Sequence, residues 1–140
     1  MFHRTVSVVF FAVAAALVVV GCGSSEPIGR ISGTVTHNGQ PVEAGIISFY
    51  NAESGRVGQA ELQPGGIYEI DTVKGGLEPG QYQVSVMPPT ETRTDSSTGE
   101  TTHETKEVSN IPQQYRDPRT SGLSAQVDQG SNKFDFALEG

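Results

Sequence analysis

Cys22 is the residue with the most definite chemistry in this 140-residue chain, because it is the only cysteine. It follows the small Gly21 and the apolar run Val6–Val20, which has 15 residues and is interrupted only by Ser7. A signal peptide has an apolar region of about 7–15 residues behind a positive start and ahead of small residues. A spanning helix needs about 20 apolar residues. The sequence therefore predicts a signal helix over residues 1–21, with cleavage before Cys22.

Val19-Val20-Gly21-Cys22 resembles the bacterial lipobox, in which the cysteine receives a diacylglyceryl thioether and becomes the acylated N-terminus. The resemblance implies a lipoprotein held by fatty acids such as palmitate at about 0.8 kcal/mol per buried CH₂, with the membrane as its partner. The residue after the cysteine is Gly23 and not an aspartate. By analogy with lipoprotein sorting rules, this favours the outer membrane, on its periplasmic or cell-surface face. The alternative is an ordinary secretory signal with a chance cysteine. In the lipoprotein interpretation, residues 22–27 form the lipidated N-terminus and a short tether.

The charge of the chain excludes one class of partner. Removing residues 1–21 leaves 140 − 21 = 119 residues and takes away Arg4, so 8 basic side chains remain against 16 acidic ones, a net charge of about −8. Such an acidic chain has no electrostatic footprint for nucleic acid. It is also repelled by anionic lipid headgroups, so a covalent anchor is needed to hold it at a membrane.

From Ile28 onwards the hydrophobic pattern has a period of two, and turn signals separate short segments. This pattern predicts an all-β fold, a single seven-stranded β-sandwich over residues 28–140. Asn38-Gly39 predicts a tight hairpin turn. Tyr82, Val84 and Val86 share one face of the most regular strand, which we expect to be central. The predicted strands are 30–36, 45–50, 57–62, 67–70, 81–86, 123–127 and 133–138.

Several short motifs, in this order and spacing, are similar to the carboxypeptidase regulatory-like domain. They are Gly33-x-Val35, Asn38-Gly39-x-Pro41-Val42, Ile47-x-Phe49, Gly66-x-Tyr68-x-Ile70 and Leu77-x-Pro79-Gly80-x-Tyr82-x-Val84-x-Val86. The resemblance implies a transthyretin-like (prealbumin-like) Greek-key sandwich that serves as an accessory module without peptidase activity. The segment from Ile111 to Phe136 also resembles a recurring group of small bacterial lipoproteins.

Residues 87–110 interrupt the strand pattern before the last strands. They contain seven threonines and several glutamates, and Val108 is the only large apolar residue after Met87. One interpretation is a disordered acidic loop. The other is a polar hairpin that pairs 91–95 with 101–106, because β-branched threonine favours strands. This insertion is a candidate for partner binding, and a solvated loop without a role is the alternative.

The remaining reactive side chains do not form a catalytic pattern. His37 adjoins the Asn-Gly turn and His103 lies in the insertion, and neither has a nearby Ser/Asp or Cys pattern for nucleophilic catalysis. No zinc-binding or EF-hand pattern occurs. Glu69 and Asp71 are interpreted as solvated loop acids, and a contribution to a loop Ca²⁺ site is the alternative. We therefore expect no enzyme activity, no metal and no cofactor.

Two tyrosines are candidates for contact with a partner. Tyr50 and Tyr115 are expected to be exposed, and Tyr115, Arg116 and Asp117 could form a polar-aromatic patch. The alternative is a structural turn in which Arg116 pairs with an acid and Tyr115 covers the end of the sandwich. The leading hypothesis is a non-catalytic, lipid-anchored envelope lipoprotein with a structural or protein-interaction role. A polysaccharide- or peptidoglycan-binding module is the alternative.

Overall fold

A computed structural model describes residues 28–71 and 76–140. The predicted signal peptide, the lipobox residues Val19, Val20, Gly21 and Cys22, and the tether up to residue 27 lie outside the described residues. The described chain is built from strands and a short 3-10 helix at Gln113–Arg116, which confirms the all-β class. The strands are β1 Gly29–His37, β2 Gln40–Pro41, β3 Ile46–Tyr50, β4 Val57–Glu61, β5 Ile67–Ile70, β6 Gly80–Met87, β7 Thr90–Thr94, β8 Thr101–Thr105, β9 Leu123–Val127, β10 Gly130–Lys133 and β11 Phe136–Leu138.

Two sheets form the body of the domain. One is antiparallel, in the order β4–β3–β6–β9, so β6 is internal as expected. In the other, β1 is central, with β10 and β11 parallel to it along one side and β5 antiparallel on the opposite side. The turn at Asn38 and Gly39 has positive φ angles of 49° and 81°, which confirms the predicted hairpin between β1 and β2.

Alternate residues of both sheets meet in one apolar core. Tyr82, Val84 and Val86 of β6 are fully buried, and they face the layer formed by β1 and its neighbours. Phe49 of β3 crosses the space between the sheets, since its ring centroid lies 6.0 Å from that of Tyr68 and 6.1 Å from that of Phe136. Burying such side chains contributes about 1.5–3 kcal/mol each, so the packing of the two sheets is the main source of stability.

The described chain has eleven strand segments, four more than the seven strands predicted for the sandwich. Three of the additional segments are β2, β7 and β8. The fourth arises because the strand predicted at 133–138 is two segments, β10 and β11. Both pair with β1 at the same register offset, so they form one interrupted strand.

Side chains satisfy the backbone where this strand is interrupted. The Phe134 carbonyl turns towards Gly33, where an added Cβ would lie only 1.8 Å from its oxygen. The buried Tyr68 hydroxyl donates to that carbonyl at 2.6 Å, and burial raises the pKa of Tyr68. The Asp135 carboxylate accepts hydrogen bonds from Thr34 N at 2.9 Å and Thr34 Oγ1 at 3.0 Å. The interruption therefore requires a glycine in β1 and replaces ladder bonds with side-chain bonds.

Asp135 makes the stability of the domain pH-dependent. Its hydrogen bonds from Thr34 lower the pKa of its carboxyl below the ordinary 3.8. The Asp135 carboxyl therefore has a higher pKa in the unfolded chain than in the folded one. The stabilisation is present above about pH 4 and is lost as the pH falls through the lower pKa of the folded state. We expect Asp135→Asn to be less stable than wild type at neutral pH, with a difference that shrinks in acid. Urea unfolding at a series of pH values measures this, and a constant difference would contradict it.

The sandwich has two distinct ends. At the first, which we call the entry end, Gly29 N donates to Leu77 O at 2.7 Å, and the described chain begins there at Ile28. β1 and β6 both start near this end. At the opposite end, which we call the far end, Asn38 donates through its side chain to Gly140 O at 3.0 Å. The insertion leaves the sandwich at the far end, directly after β6.

Candidate interaction site

The insertion is a two-stranded hairpin. β7 and β8 pair in an antiparallel register from Thr90 opposite Thr105 to Thr94 opposite Thr101, and all ten of their residues are exposed. The Asp95 carboxylate closes the turn by accepting Ser97 N at 2.7 Å, and Gly99 N donates to Asp95 O at 2.8 Å. Of the two interpretations of this segment, the structure has the hairpin and not the disordered loop.

The hairpin has two chemically different faces, because side chains alternate along each strand. One face, which we call the threonine face, carries five threonines and a histidine. Across this face Thr92 Oγ1 lies 3.2 Å from Nδ1 of His103. The threonine face consists of Thr90, Thr92, Thr94, Thr101, His103 and Thr105.

The opposite face of the hairpin is charged. Lys106 Nζ lies 2.8 Å from Glu91 Oε1, and Arg93 lies 3.7 Å from Glu104. The hydrogen bond between Lys106 and Glu91 lowers the pKa of the glutamate and raises that of the lysine. These pairs are exposed and screened by solvent, so they favour the register of the hairpin rather than adding much stability. The hairpin thus presents neutral hydroxyls on one side and paired charges on the other.

Arg116 holds the base of the hairpin to the sandwich. Its Nε donates to Ile111 O at 3.1 Å, its Nη1 donates to Glu107 Oε2 at 3.1 Å, and its Nη2 donates to Val108 O at 3.4 Å. Only 24% of the Arg116 side chain is exposed. These contacts connect the segment after β8 to the 3-10 helix, so the Arg116 side chain is engaged in a structural turn.

Of the two interpretations of Tyr115, the one in which it covers the end of the sandwich is confirmed, and the exposed aromatic platform is wrong. Tyr115 is 8% exposed, and its hydroxyl accepts Glu139 N at 3.0 Å, so it covers the far end of the sandwich. Its burial follows from the short 3-10 turn, which places the ring under the C-terminal residues. The aromatic platform on which the glycan-binding alternative depended is therefore not present at Tyr115.

The other two members of the candidate patch, Asp117 and Tyr50, do not form a joint surface with Tyr115. Asp117 forms an ion pair with Arg119 at 2.7 Å, and its hydrogen bonds from Arg119 lower the pKa of its carboxyl to about 2. Tyr50 is half-buried at the last position of β3, towards the entry end. The structure does not bring Tyr50 to Tyr115, because the latter lies at the far end.

Replacing Arg116 tests its role at the base of the hairpin. We expect Arg116→Ala to lower the free energy of unfolding by about 1–3 kcal/mol, because carbonyls of Ile111 and Val108 lose a charged donor. We also expect faster proteolysis between β8 and the 3-10 helix. Glu107→Gln is the matched control, since the Glu107 side chain is 77% exposed. Equal effects of the two substitutions on unfolding and proteolysis would contradict a structural role for Arg116.

The described residues do not group the side chains that a metal site needs. Within 28–71 and 76–140, no three His, Cys, Asp or Glu side chains are grouped so that they could hold a metal ion. Nε2 of His37 lies 3.3 Å from Nδ2 of the Asn38 side chain, and Nδ1 of His103 lies 3.2 Å from Oγ1 of Thr92. In the same part of the chain, no helix has the length and apolar character needed to cross a bilayer.

A groove between β4 and β5 was not predicted from the sequence. It encloses about 540 Å³ and is lined by Ile46, Gln59, Ala60, Glu61, Gln63, Ile67, Tyr68 and Glu69. Ile67 is 53% exposed there although it is a large apolar residue. The only sequence signal for it is the adjacency of two large apolar residues, Ile67 and Tyr68, because an alternating strand can bury only one of them.

Comparisons with known proteins leave the chain without an assigned family. No family model and no curated protein matches it. It is similar to the crystal structure of BcpA, the major pilin subunit of Bacillus cereus, with 13% identity and a TM-score of 0.43 over 80% of this chain and 30% of that one. It is also similar to the pilus adhesin RrgA from Streptococcus pneumoniae, with 18% identity and a TM-score of 0.34 over 61% of this chain and 11% of that one. The chain thus spans less than a third of either protein, and neither similarity is strong enough to transfer a function.

Proposed function

We propose that this protein is a non-catalytic lipoprotein of the bacterial envelope, anchored through Cys22, that presents the β7–β8 hairpin to a protein partner. One observation carries the proposal. The exposed hairpin leaves the far end of the sandwich, whereas the chain enters from the predicted anchor at the entry end. The sandwich then acts as a rigid spacer between the lipid and the hairpin.

The dimensions of the domain support this arrangement. The predicted tether, residues 23–27, reaches at most about 3.3–3.6 Å per residue, so the entry end stays within about 20 Å of the bilayer. β1 has nine residues, which at about 3.3 Å per residue separate the two ends by nearly 30 Å. An anchored domain thus holds the hairpin outside the headgroup layer, where an envelope protein can reach it.

The side chains at the far end support a non-catalytic role. Arg116, Tyr115 and Asp117 each make contacts that stabilise the chain. The hairpin at this end exposes the threonine face, whose hydroxyls and backbone edges suit hydrogen bonding to another protein rather than chemistry on a substrate. By its resemblance to the carboxypeptidase regulatory-like domain, the sandwich is expected to act as an accessory module. The outer membrane is the expected location.

Site-specific photo-cross-linking in intact cells tests the proposed function. A photoreactive phenylalanine analogue is placed at Thr94 or His103 on the threonine face, and at Gln126 on the exposed face of β9 as the control. We expect discrete protein adducts from the two hairpin positions and none from Gln126, and we expect Cys22→Ala to abolish them by releasing the protein from the membrane. Adducts that are the same at all three positions, or absent from the hairpin, would refute the proposal.

A further inference from the structure

The outer edge of β4 is an unpaired strand edge. Two hydrogen bonds that flank β4 fix which of its residues face β3: Asn51 N to Arg56 O and Leu62 N to Gly45 O, both at 2.9 Å. In an antiparallel pair, hydrogen-bonded and non-bonded residue pairs alternate. The residues of β4 that bond to β3 are therefore Gly58 and Ala60.

It follows that three residues of β4 direct their backbone groups away from the sheet. Val57, Gln59 and Glu61 each present an N–H and a C=O at this edge, and β3 is the only strand that pairs with β4 in the described chain. Natural edges are usually blocked by lysine, proline or a bulge, and Val57–Glu61 contains no lysine and no proline. This edge is therefore open to pairing with another strand.

β5 forms the opposite wall of the groove. Gln63 N donates to Ile67 O at 2.7 Å, so the backbone of Ile67 faces away from β1. By the same alternation Glu69 also directs its backbone groups away from β1. Each of the two sheets thus turns a strand edge towards the same groove, which the turn at 62–66 closes at one end. The Ile67 carbonyl on the β5 edge is already bonded to Gln63 N, so the new strand pairs with β4.

The side chains of the groove favour a positively charged partner. Glu61 and Glu69 both line it, and neither forms an ion pair within the described residues. The chain as a whole has a net charge of −7, so a second copy of it would be repelled. The half-exposed Ile67 adds an apolar contact to the same groove.

We propose that the groove between β4 and β5 binds an extended segment of a partner protein, which adds a strand at the β4 edge. Main-chain hydrogen bonds to Val57, Gln59 and Glu61 supply affinity, as in other cases of strand addition. Lysine or arginine side chains of the segment pair with the carboxylates of Glu61 and Glu69, and apolar side chains on the other face of the segment contact Ile67. This site is separate from the hairpin and does not depend on the proposed function.

The test uses three capped five-residue peptides and the ¹⁵N-labelled protein in detergent micelles, whether or not Cys22 carries a lipid. The first peptide alternates lysine and valine, the second replaces lysine with glutamate, and the third is the first with methylated backbone nitrogens. We expect only the first to give saturable amide shifts at Gln59, Glu61 and Ile67 and to slow amide exchange of Gln59 and Glu61 by about tenfold.

Two variants separate the main-chain contribution from the charge contribution. Gln59→Pro removes an N–H that faces the free edge and leaves the backbone hydrogen bonds to β3 intact, so it should fold and lose peptide binding. It also removes the bond from Gln59 Nε2 to Ser48 Oγ at 2.9 Å, which is a side-chain bond on the sheet face and not part of the edge. Glu61→Lys combined with Glu69→Lys should reverse the preference to the glutamate peptide, while Glu100→Lys on the hairpin should change nothing.

Binding that survives both groove variants, or the absence of shifts at β4 and β5, would overturn the proposal. Shifts at the β4 edge that grow with protein concentration, without peptide, would assign the edge to a second copy and would also overturn it. The cross-linking of the hairpin is read out independently, so the two proposals can fail separately.

Discussion

Gly33→Ala is expected to lower the free energy of unfolding by about 3 kcal/mol or more. The added methyl group would lie 1.8 Å from the Phe134 carbonyl oxygen and 2.6 Å from its carbon. Both are backbone atoms, so the clash can be relieved only by moving β1 away from the break between β10 and β11. That movement would also separate the Tyr68 hydroxyl from the carbonyl it bonds.

Urea denaturation followed by circular dichroism measures this effect. Ser32→Ala is the matched control, because Ser32 is the exposed neighbour of Gly33 on the same strand, and it should change the free energy of unfolding by less than about 0.5 kcal/mol. If Gly33→Ala were as stable as Ser32→Ala, the described path of residues 133–136 would be wrong.

Phe49→Ala is expected to destabilise the domain by about 3–5 kcal/mol, because it leaves a cavity between the two sheets. Phe49 is fully buried, and its ring lies 6.0–6.4 Å from those of Tyr68, Phe134 and Phe136. No other described side chain has ring contacts with residues of both β5 and the last strand.

Thermal and urea unfolding of Phe49→Ala and Phe49→Leu distinguish a packing effect from loss of aromatic contacts. The leucine variant keeps most of the apolar volume and should recover at least half of the lost stability. Tyr50→Ala, on the half-buried neighbour, should cost much less. Similar losses for Phe49→Ala and Tyr50→Ala would show that the core does not lie where the structure places it.

The strands of the sandwich could be predicted because their sequences alternate and their turns have strong local signals. Asn38-Gly39 adopts positive φ at both residues, as the pair requires in a tight hairpin. The regular alternation of Tyr82, Val84 and Val86 placed β6 in the interior of its sheet. In both cases the sequence pattern and the tertiary packing favour the same conformation, and local reasoning then succeeds.

The features that local reasoning missed depend on contacts between distant residues. The division of the last strand requires the bare backbone of Gly33 and the hydroxyl of Tyr68, which lie far from Phe134 in sequence. Threonine content alone left the conformation of residues 87–110 open between a hairpin and a disordered loop, and cross-strand pairing decided it.

The role of the candidate interaction residues also depends on contacts that local sequence patterns do not show. Tyr115, Arg116 and Asp117 are polar or aromatic residues in a turn, and such residues serve either an interface or the fold. The distinction lies in their partners, Glu139, Glu107 and Arg119, of which only the last is a near neighbour in sequence. The groove beside Glu61 and Glu69 was not predicted, because it forms where two sheets meet.

The central claim is that Cys22 carries the lipid and the hairpin points away from it, and a single-thiol distance measurement tests both parts. In the first part, wild-type lipoprotein is purified, unfolded and treated with a maleimide dye, which reacts only with a free Cys22 thiol. In the second part, folded Ser97→Cys and Gln129→Cys variants are labelled with a donor dye and reconstituted in vesicles that contain an acceptor lipid. We expect wild type to take up no dye, because the Cys22 sulfur is a thioether. We also expect energy transfer to the bilayer to be clearly weaker from position 97, at the hairpin tip, than from position 129, at the entry end. Dye on wild-type Cys22, or transfer from position 97 equal to that from position 129, would contradict the account.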